Sequence, residues 1–347
     1  MAERRSAVED LGVSPPPPRV TVAIPTWNRE HLLPAAIDSV LRQSLGELEV
    51  IVLDNASTDR TPEIVRSYLG DPRVSYLQRP GNIGHRANMT AALHAGRAPY
   101  VTILHDKEEM YADNLARKVA FLDAHPDAAL VHGGFRIVDG DGREVEPHRR
   151  GRPGAGDRVE DSATFLRSTV SAIGGVQHIS SVVVRRSVLG GEGFRDEDAP
   201  ADDVALWLRL GAKGQVGYVG GAQTLLRAAP GWSSGSSYLE IHNGRFYPTV
   251  LAVQGGRDAR LRFLARAELS RRDRLALALT TRTWAQRQLV SIIRRADPGC
   301  RAGVLRQAVR IEPTLAASPL LALTLRSYAS VEGATTPAAG TRQRSMR

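Results

Sequence analysis

The chain has 347 residues, 42% hydrophobic and 24% charged, a balance typical of a globular protein with one large domain plus an appendage, or with two domains. Its single cysteine, Cys300, excludes an internal disulfide framework and a zinc site built from cysteines. The formal net charge of +9 is uneven, because residues 255–347 hold 18 Arg, no Lys and 6 acidic residues, a net +12 that leaves −3 for residues 1–254.

Residues 1–18 predict a disordered, proline-rich leader, since they end in four prolines and offer little to bury. We see no secretory signal and no stretch apolar over the length that spans a bilayer, and we expect a cytoplasmic protein. The basic C-terminal part leaves peripheral contact with an anionic membrane open. Solvated faces of arginine-rich helices are the favoured interpretation, and we expect no nucleic-acid partner.

Strands and helices alternate through the first 124 residues. Short apolar runs predict strands at 20–24, 48–53, 74–77 and 101–104, and helical spacing predicts helices at 30–43, from 61, at 86–95 and at 113–124. This alternation is typical of a mostly parallel sheet covered on both faces. Each strand ends in a polar loop, and in such a sheet these loops share one edge, which favours a site for a polar, phosphorylated ligand.

The fourth of these loops, His105-Asp106-Lys107-Glu108-Glu109, is the most acidic. Carboxylates at Asp106 and Glu108, one residue apart at a strand end, can share a hard cation and, through it, a diphosphate. An acidic start to the next helix is the alternative role, because acidic side chains favour helix N-termini. The cluster alone does not decide between the two.

The second half is less regular. Strands are predicted at 128–132, 135–138, 180–185 and 216–219, a hairpin turn at 139–142, a helix at 201–211, and loops at 149–156 and 232–237. From residue 238 the pattern is helical, with breaks predicted at Gly255-Gly256, Pro298-Gly299 and Pro319. Apolar helix faces are expected to pack in this part through the residues Leu261, Leu264, Leu275, Leu279, Leu289, Ile292 and Ile293. Trp284 and Tyr328 are expected in the core.

Five segments in order resemble a family-2 glycosyltransferase of the GT-A fold. They are Val-Ala-Ile-Pro-Thr-Trp-Asn-Arg (22–29), Leu-Asp-Asn-Ala-Ser-Thr-Asp-Arg-Thr (53–61), Gly-Asn-Ile-Gly-His-Arg-Ala-Asn (81–88), the acidic strand end at 106–108, and Asp-Asp-Val-Ala-Leu-Trp-Leu-Arg (202–209). The resemblance implies a Rossmann-like, mostly parallel α/β sheet with helices on both faces, followed by an arginine-rich helical extension. We accordingly expect a disordered leader at 1–18, a GT-A domain at 19–237, a helical region at 238–331 and a disordered tail at 332–347.

The resemblance also implies an inverting transfer from a nucleotide-diphosphate sugar to a hydroxyl-bearing acceptor. Asp203, with Asp202 beside it, falls where the family carries its general base; a first-turn charge for the following helix is the alternative role. Asp54 is placed like the carboxylate that reads the base or ribose, and capping of its own turn is the alternative. The implied donor-binding set is Pro25, Thr26, Asn28, Arg29, Asp54, Asn55, Asn82, Gly84, Arg86, Asn88, Asp106, Lys107 and Arg227.

Two departures from the family bear on the metal. Asp106 and Glu108 occupy the outer places of the D-x-D motif, but Lys107 interrupts the acidic run. The family commonly has Arg-x-His further on, where this chain keeps Arg227 and has Ala229 in place of the histidine. Mg²⁺ or Mn²⁺ held by Asp106 and Glu108 is therefore expected but not assured, and no organic cofactor is expected.

The donor expected is a UDP- or dTDP-sugar, with an acceptor that the sequence does not identify. One alternative is a catalytically degenerate family member that binds nucleotide sugar or a partner without turnover. Lys107 and Ala229 favour it, whereas the retained Asp106, Glu108 and Asp202-Asp203 oppose it. A sugar-phosphate nucleotidyltransferase is disfavoured, because no glycine-rich pyrophosphate loop follows the first strand.

Overall fold

A computed structural model of the chain describes residues 16–139, 142–144, 156–171, 178–198, 202–227, 247–266, 270–295 and 298–322. Several predicted features lie wholly or mostly outside these ranges: the leader before residue 16, the loops at 149–156 and 232–237, Ala229, Tyr328 and the tail at 332–347.

The centre of the described chain is one mixed β-sheet. Its strands are β1 Val20–Thr26, β2 Leu48–Asp54, β3 Val74–Gln78, β4 Tyr100–Ile103, β5 Glu109–Met110, β6 Ala128–Val138, β7 Arg158–Glu160, β8 Val182–Arg185 and β9 Gln215–Arg227. They lie in the order β3-β2-β1-β4-β8-β6-β9-β5, with β7 paired to β9. Strands β1 to β4 pair in parallel, whereas β8 runs antiparallel to both β4 and β6.

Helices cover both faces of the sheet. They are α1 Leu33–Leu41, α2 Thr61–Ser67, α3 His85–His94, α4 Asn114–Ala124, α5 Ser162–Ser171, α6 Asp202–Gly211, α7 Tyr247–Arg266, α8 Arg271–Arg295 and α9 Pro298–Ile311. One core cluster packs α1 and α4 on the sheet, and a second packs α3, α5 and α6 on the other face. The second cluster also includes Leu264 of α7 and Leu277 of α8, so the C-terminal helices complete the core of the sheet. The predicted α/β fold class is confirmed.

One prediction in the sheet was wrong in detail. Residues 128–132 and 135–138, predicted as two strands, form the single strand β6, whose pairing with β9 shifts register around Gly133 and Gly134. A Cβ atom at Gly133 would lie 2.6 Å from Gln223 Cγ, so the glycine admits the side chain of the neighbouring strand. The predicted strand 216–219 is likewise only part of β9, which runs on to Arg227.

The predicted helix break at Gly255-Gly256 was also wrong, since α7 continues through both glycines. A Cβ atom at Gly256 would lie 2.9 Å from Trp284 Cη2 and 3.0 Å from Arg260 Nη1. Gly256 therefore makes room for a close contact between α7 and α8. Trp284 is buried as predicted, but Leu275 and Leu279, expected to pack, are 63% and 55% exposed. Among the described helices, none has the length and apolar character needed to cross a membrane.

Candidate active site

The parallel register brings the predicted loops together. Thr26, the last residue of β1, lies beside Asp54, the last residue of β2, and Asp54 lies beside Gln78 at the end of β3. Pro25 and Thr26 are buried within β1, so their side chains form the floor of this edge. Because the carboxyl ends of parallel strands carry the ligand site of an open α/β sheet, this edge is the candidate active site.

Asn28 joins the first loop to the second. Its backbone N–H donates to Ser57 Oγ at 2.9 Å, and its Oδ1 accepts from the Thr58 N–H at 2.8 Å. Its φ of +53° is one that asparagine tolerates better than most residues. The neighbouring Arg29 N–H donates to Thr61 Oγ1 at 3.0 Å. The Arg29 guanidinium is half exposed and lies beside Asp106 of the acidic loop.

Both carboxylate oxygens of Asp54 accept hydrogen bonds within the protein. Its Oδ1 accepts from the Ser57 N–H at 2.8 Å, and its Oδ2 accepts from the Tyr76 hydroxyl at 2.6 Å. Burial and the adjacent carboxylate raise the pKa of the Tyr76 hydroxyl. These contacts are those of the turn-capping role, so any contact of Asp54 with a base or ribose would have to share oxygens that are already in use.

Asn55, Asn82 and Asn88 connect the second and third loops. Asn55 Nδ2 donates to Asn82 Oδ1 at 2.9 Å, and Asn82 Oδ1 also accepts from the Gly84 N–H at 2.8 Å. Gly84 precedes α3 with a φ of +86°, a conformation that favours glycine. Asn88 is buried and donates to the Leu53 carbonyl at 3.1 Å. These amides fix the loop backbone, and Asn88 lies beneath the surface of the site.

Asp106, Lys107 and Glu108 follow β4 at the same edge. The Asp106 carboxylate is 13% exposed, and Arg29 Nε lies 3.7 Å from its Oδ1. Burial raises the pKa of Asp106, while Thr26, Arg29 and Lys107 counteract the increase. Asp106 thus faces the same space as the Arg29 guanidinium, as a site for a charged diphosphate requires.

Glu108 is more deeply buried than Asp106. It is 2% exposed, its Oε2 lies 3.5 Å from His178 Nδ1, and this oxygen forms no hydrogen bond with a described residue. Burial raises the pKa of Glu108, and it lowers the pKa of His178 to about 4, so the imidazole is neutral at pH 7. The Ser180 hydroxyl accepts from the His105 N–H at 3.0 Å. His178 and Ser180 are site residues that sequence reasoning missed, because they precede β8 without a recognisable motif.

The fit to a divalent cation rests on two observations. Among the described residues, no three side chains of His, Cys, Asp or Glu come together as a metal cluster. However, Mg²⁺ and its analogues in nucleotide sites often take only one or two carboxylates, with phosphate oxygens and water completing the shell. Asp106 fits that role, and the unbonded Oε2 of Glu108 is a second oxygen with unused capacity.

Asp202 and Asp203 begin α6, and the structure separates their environments. Arg86, in the first turn of α3, donates from Nε to Asp202 Oδ2 at 2.7 Å and lies 3.3 Å from Asp196. Asp203 accepts from the Val204 N–H at 2.7 Å. Burial raises the pKa of Asp203 to about 6, with the charge of Asp202 adding to the increase. One carboxylate is therefore paired, and the other is poised to take up a proton near neutral pH.

Arg260, in α7, is a further residue that the sequence did not single out. It is 1% exposed, its Nη1 donates to the Gly256 carbonyl at 2.8 Å, and its guanidinium lies 4.2 Å from the Trp284 ring centroid. Burial lowers the pKa of Arg260 to about 10, and its charge counteracts the increase in the pKa of Asp203. The helical region thus supplies a buried positive charge to the candidate base.

Arg227, the last residue of β9, forms an ion pair with Glu109 in β5. Sequence reasoning assigned Arg227 to the donor and left Glu109 without a role. The pair joins the end of β9 to the strand that follows the acidic loop. The structure thus brings Arg227 next to that loop while giving it a partner of its own.

Comparison with known proteins gives one family. Residues 21–182 match the model of glycosyl transferase family 2. The putative colanic acid biosynthesis glycosyl transferase WcaA of Escherichia coli is 33% identical over 117 residues, 33% of this chain and 40% of that protein. A PGL/p-HBAD biosynthesis glycosyltransferase of Mycobacterium bovis is 32% identical over 120 residues, 33% of this chain and 46% of that protein. The chain thus aligns with about half the length of the curated relatives it matches.

Solved structures share the fold over nearly the whole chain. TarS of S. aureus, as a fragment in complex with UDP-GlcNAc, superposes with a TM-score of 0.60 at 16% identity, covering 90% of this chain and 92% of that one. The mannosyltransferase PcManGT of Pyrobaculum calidifontis, in complex with GDP-Man and Mn²⁺, gives 0.53 at 19% identity, covering 92% and 82%. The fold, including the C-terminal helices, is therefore that of GT-A glycosyltransferases.

Proposed function

We propose that this chain, whose residues 21–182 match the model of glycosyl transferase family 2, is an inverting glycosyltransferase. It would move a sugar from a nucleotide-diphosphate donor to a hydroxyl-bearing acceptor. The observation that carries the proposal is the pair at the start of α6. Asp202 is neutralised by Arg86, whereas no described cation forms a hydrogen bond with Asp203, whose pKa is raised to about 6.

Asp203 is the proposed general base. As the acceptor hydroxyl attacks the anomeric carbon, its proton passes to the carboxylate, and a base with a pKa near the working pH performs this transfer efficiently. Arg86 belongs to α3, whose preceding loop is at the donor edge, so the Arg86–Asp202 pair holds the start of α6 beside the donor. Attack on the face opposite the diphosphate inverts the anomeric centre without a covalent intermediate.

The leaving diphosphate is proposed to lie between Arg29, Asp106 and Lys107. The half-exposed Arg29 guanidinium supplies two or more N–H donors of the kind that bind phosphate oxygens in pairs. Lys107 brings a second positive charge to the same strand end. A divalent cation, when bound by Asp106 and Glu108, would supply further charge neutralisation at the diphosphate.

The donor is proposed to be a nucleotide sugar, supported by the UDP-GlcNAc and GDP-Man complexes of the two structural neighbours. We favour a UDP- or dTDP-sugar. The acceptor, cytoplasmic location and peripheral membrane contact also stay predictions.

A donor panel tests the proposal. Purified protein is incubated with UDP-, dTDP- and GDP-sugars, with and without Mn²⁺, and both thermal stabilisation and release of nucleoside diphosphate are measured. We expect one donor to raise the melting temperature and to be hydrolysed slowly, and Asp203→Asn to abolish hydrolysis while keeping the stabilisation. Stabilisation without hydrolysis in the wild-type chain, even with acceptor extracts, would instead support the degenerate, binding-only alternative.

A further inference from the structure

A groove lies within the C-terminal helices, and none of its lining residues belongs to the candidate active site. It encloses about 880 Å³ between α7, α8, α9 and the 3₁₀ turn Pro313–Ala317. This volume is within the range of pockets that enclose a drug-sized ligand. Its walls are helices that share a buried core, so its shape does not depend on a long loop.

The floor of the groove is held by a bonded acid. Glu312 is 3% exposed, and its Oε2 accepts from Arg257 Nη1 at 2.9 Å. Its other oxygen accepts from the Thr314 hydroxyl, which in turn accepts from Gln286 Nε2 at 2.9 Å. Arg257 Nη1 also donates to the Ile311 carbonyl at 2.6 Å. Among the described residues that line the groove, Glu312 is the one acid, and its charge is balanced by its ion pair with Arg257.

Two arginines lie on the sides of the groove. Arg282 from α8 and Arg310 from α9 both line it, both are exposed, and neither forms an ion pair with a described residue. Gln254 and Gln307 add two side-chain amides to the lining. Guanidinium groups that converge from two helices bind phosphate oxygens in pairs, and amides are suited to the hydroxyls of a sugar.

We propose that this groove binds a phosphate-bearing saccharide, as an acceptor site separate from the donor pocket. The role of this saccharide as an acceptor rests on the proposed transferase function, whereas its binding in the groove does not. Around the axis of α7, Arg257 of the groove lies about a sixth of a turn from Arg260, and Leu261 lies about a quarter of a turn from it. The helix α7 therefore contributes residues to the groove and also carries Arg260, whose charge acts on Asp203.

The test compares two double variants with equal loss of charge. Arg282→Gln with Arg310→Gln removes the groove charges. Arg287→Gln with Arg306→Gln removes two exposed arginines from the same two helices outside the groove. Binding of phosphorylated maltotriose and of unmodified maltotriose to the full-length chain is measured by titration calorimetry, after circular dichroism has confirmed that both variants are folded.

We expect phosphorylated maltotriose to bind the wild-type chain, and the groove variant to bind it at least about tenfold more weakly, as the loss of charge-assisted hydrogen bonds implies. The control variant should stay within about twofold of the wild type, as exposed charges outside a site contribute little. Absence of binding, equal weakening in both variants, or equal binding of unmodified maltotriose would overturn the proposal.

A lipid source for the phosphate is tested separately with phosphatidylglycerol vesicles. If the groove variant lost vesicle binding while the wild-type chain ignored phosphorylated maltotriose, the saccharide assignment would be wrong. None of these measurements needs donor or turnover. If the chain bound phosphorylated maltotriose in the groove but failed the donor panel, the proposed function would be wrong and the groove assignment would stand.

Discussion

Replacing Asp203 by Asn is expected to abolish activity and to stabilise the fold at the same time. Asn is close in shape and keeps an oxygen that accepts from the Val204 N–H, but it removes the charge that burial and Asp202 disfavour. The general base is lost, so turnover should fall by about two to four orders of magnitude.

The gain in stability follows from the pKa of Asp203. Folding raises it from 3.8 to about 6, so the folded state favours the protonated form. The resulting contribution of Asp203 to the free energy of unfolding is fully present below pH 4 and is lost as the pH rises through 6. Two pKa units correspond to about 3 kcal/mol, and since Asp203 is only partly buried we expect about 2 to 3 kcal/mol. Above pH 6 the Asn variant should therefore retain the part of the free energy of unfolding that the wild type has lost.

Urea denaturation at about pH 8 and about pH 4 measures this difference in the free energy of unfolding. Asp203→Asn should be more stable than the wild type at the higher pH and nearly equal at the lower. Asp202→Asn is the matched control, because it breaks the 2.7 Å pair with Arg86 and should bring no gain. A gain for Asp203→Asn that persists unchanged at pH 4, or no gain at pH 8, would refute the reasoning.

Three further predictions concern neighbouring residues. Arg260→Met should shift the acid limb of the pH–rate profile to higher pH, because the buried charge that lowers the pKa of Asp203 is gone, whereas Arg262→Met on the same helix should shift it less; equal shifts would contradict the assignment. Lys107→Ala should lower turnover in EDTA, with Mn²⁺ restoring part of it; a fully metal-dependent enzyme indifferent to Lys107 would show that the lysine has no role at the diphosphate. Gly256→Ala should destabilise the chain by about 1 to 3 kcal/mol through overpacking against Trp284, whereas Gly303→Ala, where nothing lies within 4 Å, should stabilise it slightly; thermal unfolding distinguishes the two.

The sequence predicted the first half of the fold well, because its strands are short apolar runs and its helices are periodic. The predicted strand at 74–77, for example, differs from β3 by one residue. The strand-end loops also placed Arg29, Asp54 and Asp106 at one edge of the sheet. The roles of these residues stay predictions, because the residues that surround a site decide its chemistry.

What the sequence could not predict depends on contacts between distant segments. The polar partners of Asp54 and Asp202, namely Tyr76 and Arg86, belong to other elements. Arg260 reaches the base only because α7 packs on α6, and Gly256 breaks no helix because its missing side chain makes room for Trp284. Helical spacing predicted that Leu275 and Leu279 pack, whereas the structure leaves both exposed and buries Leu277, which the sequence analysis did not single out.

Leu264 and Leu277 pack into the same cluster as Leu53 and Trp207, and this has a consequence for synthesis on the ribosome. The 70 residues from Trp207 to Leu277 take roughly 4 to 14 seconds to translate. During that time α3 and α5 already lie on this face of the sheet, but the part of the cluster that Leu264 and Leu277 complete stays uncovered. We therefore expect the nascent chain to expose apolar surface of the kind that chaperones shield, and the sheet to reach its final packing only after the arginine-rich helices have emerged.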